Sequence, residues 1–260
     1  MRFKKRSAIS RQLSAFRLTL LVLSLPHLGT AQDERRVVSP NGQLEFRLGV
    51  AEPESGALSR LAYQITYRGK PLINTSLLGL NIHFQEPLLG ENVGLTSSQH
   101  SETAHYHSLI AHYMQNGSLA RRIDLEVRAA DDGIAFRYLI PPSTPLDELL
   151  IEDETTEFNF AHNTGPGRAG SDAAFALPLT LEQPGIGKVS ITEVRDGRYP
   201  RASLVHAEAN IWITRLSAAT HPGIAFEGTT PFTCPWRVVI VGHDRDHVSQ
   251  AEILKSLSSP

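Results

Sequence analysis

A single cysteine, Cys234, stands in these 260 residues, so no disulfide can form within the chain and the core must hold the fold unaided. It precedes an apolar strand in Thr233-Cys234-Pro235-Trp236, where a lone cysteine acts as a small hydrophobe rather than a nucleophile. After the leader, no apolar run comes near the roughly 18–20 residues that a membrane span needs. Nor is there a basic stripe beyond the first residues. A formal net charge of -2 and a pI near 6.6 argue against a nucleic-acid surface. No Gly-x-Ser-x-Gly elbow occurs. Gly165-Pro166-Gly167-Arg168-Ala169-Gly170 lies between strand-like segments and contains proline, so it is not a phosphate loop.

What is present reads as an exported globular protein. Hydrophobic residues make up 41% and charged residues 20%, which disfavours disorder. Arg2, Lys4, Lys5, Arg6, Arg11 and Arg17 form a basic leader, an apolar run from Leu18 to Leu25 follows, and Gly29 and Ala31 end it. This is the layout of a secretory signal peptide over residues 1–31, cleaved at Ala31–Gln32, with residues 32–260 as one mature domain. A secreted or periplasmic location follows, with no membrane span after cleavage.

The mature part is patterned for strands. Ser39-Pro40-Asn41-Gly42 reads as a turn, and Leu44 to Leu48 alternates cleanly after it. Leu61 to Tyr67 and Leu78 to Phe84 read as strands. Ile123, Leu125 and Val127 share one face of a strand that carries charges on the other. Asp131-Asp132-Gly133 turns it into a hairpin with Ile134 to Ile140. Glu154 to Phe160, Phe175 to Leu181, Lys188 to Glu193, Asn210 to Leu216 and Arg237 to Val241 complete the set. His162 to Asp172 reads as an irregular loop, and only the tail from Asp244 to Leu257 has helical character. Many short strands separated by turn signals predict an all-β sandwich.

Candidate chemistry is sparse. His100, His105, His107 and His112 cluster, and His105 and His107 at i, i+2 could share a strand face, as zinc ligands do. No third ligand has convincing spacing, so exposed histidines explain the cluster more simply. Glu193 ends a strand before an irregular segment, which suits either a hard-cation ligand or a solvated strand edge. Trp212, between Ile211 and Ile213, is the candidate aromatic platform for a sugar. Trp236 reads as core. No catalytic residue can be assigned.

Several segments resemble one family in order along the chain. They include Ser39-Pro40-Asn41-Gly42, then Tyr63 to Ile73 (YQITYRGKPLI), Ser76-Leu77-Leu78-Gly79-Leu80, and Arg128 to Tyr138 (RAADDGIAFRY). Leu177 to Leu181, Val189-Ser190-Ile191-Thr192-Glu193, Pro235 to Val239 and Ile253 to Leu257 continue the match. Together they look like the N-terminal domain of glycoside hydrolase family 97. The resemblance implies an antiparallel β-supersandwich, galactose-mutarotase-like, with a short C-terminal helix, placed before a (β/α)₈ catalytic barrel.

The family comprises exported bacterial α-glucosidases and α-galactosidases with calcium in the active site. In its inverting members, barrel glutamates act as general acid and base on opposite faces of the sugar. By motif position, Glu193 matches the calcium ligand that the N-terminal domain supplies. Two departures are visible: the sequence ends at Pro260, about where the barrel should begin, and the Phe160–Leu177 loop is shorter than the family's. The expectation is therefore a non-catalytic domain that supports and partly lines a site completed by a barrel acting on α-linked oligosaccharide. Calcium is expected in the complete enzyme and not in the isolated chain. The other reading is a free-standing periplasmic carbohydrate-binding module, and a scaffold protein is a blander third.

Overall fold

The computed structural model describes residues 35–52, 56–118, 120–142, 146–162, 165–166, 169–195, 197–217, 221–243 and 245–257. The predicted signal peptide, residues 1–31, and its predicted cleavage point lie outside them. Among the described residues the architecture is all-β, with antiparallel strand pairs and one short helix, α1 (Glu252–Leu257), after a 3-10 turn at Val248–Gln250.

One four-stranded sheet runs in the order β1 (Arg35–Val38), β2 (Leu44–Ala51), β3 (Arg60–Tyr67), β4 (Lys70–Leu77). The predicted turn before β2 is there, with Gly42 at φ 73 and its N–H donating to Ser39 O at 2.8 Å. A second four-stranded sheet has β5 (Leu80–Ile82) between β6 (Gln85–Leu89) and β11 (Glu148–Glu154), with β18 (Phe226–Thr229) beyond β11. Pro87 is tolerated because β6 is an edge.

The largest sheet runs β14 (Leu179–Gln183), β15 (Gly187–Val194), β20 (Trp236–Val241), β10 (Gly133–Ile140), β9 (Arg122–Ala130), β8 (Tyr106–Gln115), β7 (Val93–Glu102). The short β19 (Phe232–Thr233) pairs with β10 as well. The last sheet runs β12 (Glu157–Asn159), β17 (Ile211–Leu216), β16 (Ala202–Glu208), β13 (Ala174–Ala176).

The first and largest sheets face each other through aromatic rings. Phe46 of β2 stacks on Tyr63 of β3 at 5.3 Å, and Tyr63 meets Phe136 of β10 at 5.0 Å. Strand parity then explains β20. Val239 and Val241 enter this main core, while Trp236, Val238 and Ile240 point the other way into a second core with Ala135, Val248 and Ile253. Both faces of β20 are covered, so apart from Arg237 its sequence is an apolar run instead of an alternation. The charges on β9 are covered too: Asp124 meets His112 at 2.8 Å, and Glu126 meets Arg137 at 2.7 Å.

Three predicted strands are shortened or divided. Leu78 to Phe84 yields only β5, because His83 and Phe84 form the hairpin turn into β6. Glu154 to Phe160 splits at Thr155 and Thr156, where the chain leaves one sheet for another. Phe175 to Leu181 splits at Leu177–Pro178, and its halves pair with β16 and β15 in different sheets. The described part of His162–Asp172 has no strand or helix, as predicted.

Candidate functional site

Glu193 and Arg237 stand directly opposite each other on the antiparallel strands β15 and β20. Arg237 interrupts the apolar run of β20 and is 1% exposed. A guanidinium so buried requires carboxylate partners on its rigid fork. Glu154, from the end of β11 in another sheet, supplies the first: Arg237 Nε donates to its Oε1 at 2.7 Å and Nη2 to its Oε2 at 2.6 Å. The third donor, Nη1, reaches Glu193 Oε2 at 2.8 Å. Burial alone would lower the arginine's pKa, but the charge and hydrogen bonds of Glu154, with Tyr199 and Glu193 adding, hold it above its ordinary value.

The cluster continues through hydroxyls. Thr156 Oγ1 donates to Glu154 Oε1 at 2.8 Å, Tyr138 Oη lies 2.7 Å from that threonine, and Gly79 N–H donates to Tyr138 Oη at 3.0 Å. Burial raises the Tyr138, Tyr199 and Cys234 pKa values. Cys234 is therefore a buried thiol and not a nucleophile, in line with its sequence context.

Glu193 is the member of this cluster that reaches the surface. Its carboxylate accepts from Ala202 N–H at 3.2 Å, with Arg195 Nε at 3.6 Å, and lines an open pocket of ≈ 400 Å³ with Leu177, Thr192, Arg195, Gly197 and Arg201. Beside it, sharing Gly197, lies a second pocket of ≈ 470 Å³ floored by the packed rings of Tyr199, Phe226 and Phe232. Against calcium's roughly 6–8 oxygens, the described residues offer one engaged carboxylate flanked by two arginines. They place no group of three or more metal-ligating side chains together, and Asp196 lies outside them. The described residues alone do not supply the oxygen shell that the ion needs.

The other candidates fall apart in space. His105 is exposed and precedes β8, whereas His107 within β8 binds Val38 O through Nδ1 at 2.7 Å, so the two do not form a shared ligand face. Trp212 corrects an expectation: it is 1% exposed, stacked on His206 at 4.3 Å and edge-on to Phe175 at 5.4 Å. No ring face remains for a sugar. Trp236 is core, as read, with Arg137 over its ring at 4.2 Å. Reading the sequence did not single out Glu154 or Arg237. The signal for Arg237 is its charge in an otherwise apolar run; Glu154 carries none, because its partner comes from a strand 83 residues away.

The family model described as "Glycosyl-hydrolase 97 N-terminal" matches residues 37–167 and 163–260. The chain belongs to this family. A family 97 enzyme from Pseudoalteromonas sp. strain K8, solved with acarbose, aligns at TM-score 0.71 and 20% identity over 87% of this chain and 38% of that one. A variant of that enzyme with panose gives the same values. A beta-arabinopyranosidase aligns at TM-score 0.65 and 20% identity, covering 80% of this chain and 40% of that one. No curated protein matches. The chain thus spans about two fifths of the length of these enzymes.

Proposed function

We propose that this family 97 N-terminal domain is the non-catalytic β-sandwich part of an exported α-glycosidase. It supports and partly lines the active site of a (β/α)₈ barrel supplied by residues outside this sequence. One observation carries the reading: the family match spans nearly the whole described chain, yet the chain aligns to only 38% of a family 97 enzyme. Glu193 is the residue offered to that site, because Arg237 and Ala202 N–H fix its carboxylate at the mouth of an open pocket. Calcium would be held there only with oxygens from the barrel, to which Glu193 adds one carboxylate. Glu154 does not face that pocket: it is 1% exposed and both its oxygens accept from the buried Arg237.

Hydrolysis of a glycoside takes two carboxyl groups flanking the bond, so the purified chain is expected to leave aryl α-glucosides and α-galactosides intact. Robust turnover lost in Glu193→Gln would overturn the proposal. The DNA beyond the Pro260 codon is the complementary test: a barrel-encoding sequence supports it, and an unrelated gene supports a free-standing carbohydrate-binding module.

A further inference from the structure

Phe84 is 93% exposed, far above Leu58 at 47% and Met114 at 41%, the other exposed large hydrophobics among the described residues. It occupies the second position of the two-residue β5–β6 turn at φ 55, where glycine is the default and a phenylalanine backbone is strained. A fold keeps such an outlier only where its surroundings fix it, and here they do. The Phe84 ring packs on His83 with centroids 3.8 Å apart. His83 in turn is held by its N–H donating to Leu150 O at 2.8 Å and by Nδ1 lying 2.5 Å from Glu152 Oε1. Asn81 Nδ2 donates to the other oxygen, Glu152 Oε2, at 2.6 Å.

We propose that this hairpin tip is a carbohydrate-binding site: the open face of Phe84 stacks on a pyranose ring, and Glu152, oriented by His83 and Asn81, accepts hydrogen bonds from its hydroxyls. The chemistry is that of a sugar. One preorganised aromatic face meets the apolar C–H groups of a pyranose, and a carboxylate with each oxygen engaged once retains lone pairs for hydroxyl donors. Glu152 is 31% and His83 24% exposed by side chain, so both remain within reach of a ligand. A protein-docking anchor would sit within a ring of apolar neighbours that excludes water. The ring that packs on Phe84 is instead the imidazole of His83, which is bonded to Glu152. The site lies on a different sheet from Glu193 and does not depend on the barrel reading, since its readout is binding and not turnover.

The test is calorimetric titration of the whole chain with maltotriose, with ring-proton NMR of Phe84. Saturable binding that shifts the Phe84 resonances is expected. Phe84→Ala and Glu152→Gln should each weaken it about tenfold, with Phe84→Tyr retaining it. Phe84→Gly should lose binding while raising the melting temperature, because it relieves the turn. Absence of maltotriose binding, equal binding by Phe84→Ala, or Phe84-dependent capture of a protein in place of sugar each overturns the proposal.

Discussion

A guanidinium at 1% exposure is stable only because three of its nitrogens point at carboxylate oxygens, two of them on the equally buried Glu154. Truncating Arg237 to alanine would leave Glu154 charged and unpaired inside the protein, at a cost of about 3–5 kcal/mol. Glu193→Gln keeps the shape of its side chain and sits nearer solvent, so its loss should be about 1–2 kcal/mol. Urea denaturation of the two variants checks this ranking. Equal losses would mean that Glu193, and not Glu154, is the arginine's principal partner. The same side chains show how far residue-scale reading reaches. Glu193 was visible at its strand end, but its fixed orientation was not, because it depends on Arg237 lying 44 positions away.

Helix α1 is too short to be stable alone, and the structure shows what holds it. Asp132, in the β9–β10 turn, accepts from Glu252 N–H at 2.6 Å and Ile253 N–H at 3.0 Å. Ile253 fills the second core, close over Gly133: a Cβ there would stand 2.6 Å from Ile253 Cγ2 and 3.0 Å from Val239 O. Gly133→Ala should therefore destabilise the domain by about 1–3 kcal/mol, and adding Ile253→Ala should recover part of the overpacking term. A neutral Gly133→Ala in a urea midpoint comparison would show that the helix is not seated on this glycine. The hairpin itself was legible, since Asp131-Asp132-Gly133 signals its turn and Ile123, Leu125 and Val127 its buried face. The helix seat was not, because it joins positions 120 residues apart.

At the scale of the whole molecule, four sheets bring Glu193, Arg195 and Arg201 to one open pocket beside the Tyr199–Phe226–Phe232 cluster. A pocket with one engaged carboxylate and two arginines should not hold calcium by itself. Millimolar calcium is expected to leave the melting temperature of the isolated chain unchanged, since a ligand stabilises only what it binds. A clear upward shift would reveal further oxygen ligands in this chain.

The sequence by itself determined the all-β class, the principal hairpin and the family, because these rest on local alternation, turn residues and ordered motifs. Only the tertiary structure decided which side chains meet. It placed Trp212 under His206 and left Phe84 in water. It also gathered Glu154, Glu193 and Arg237 from three strands of two sheets. Burial and ion pairing are set by the packing of distant strands, and the sequence around each residue does not encode them locally.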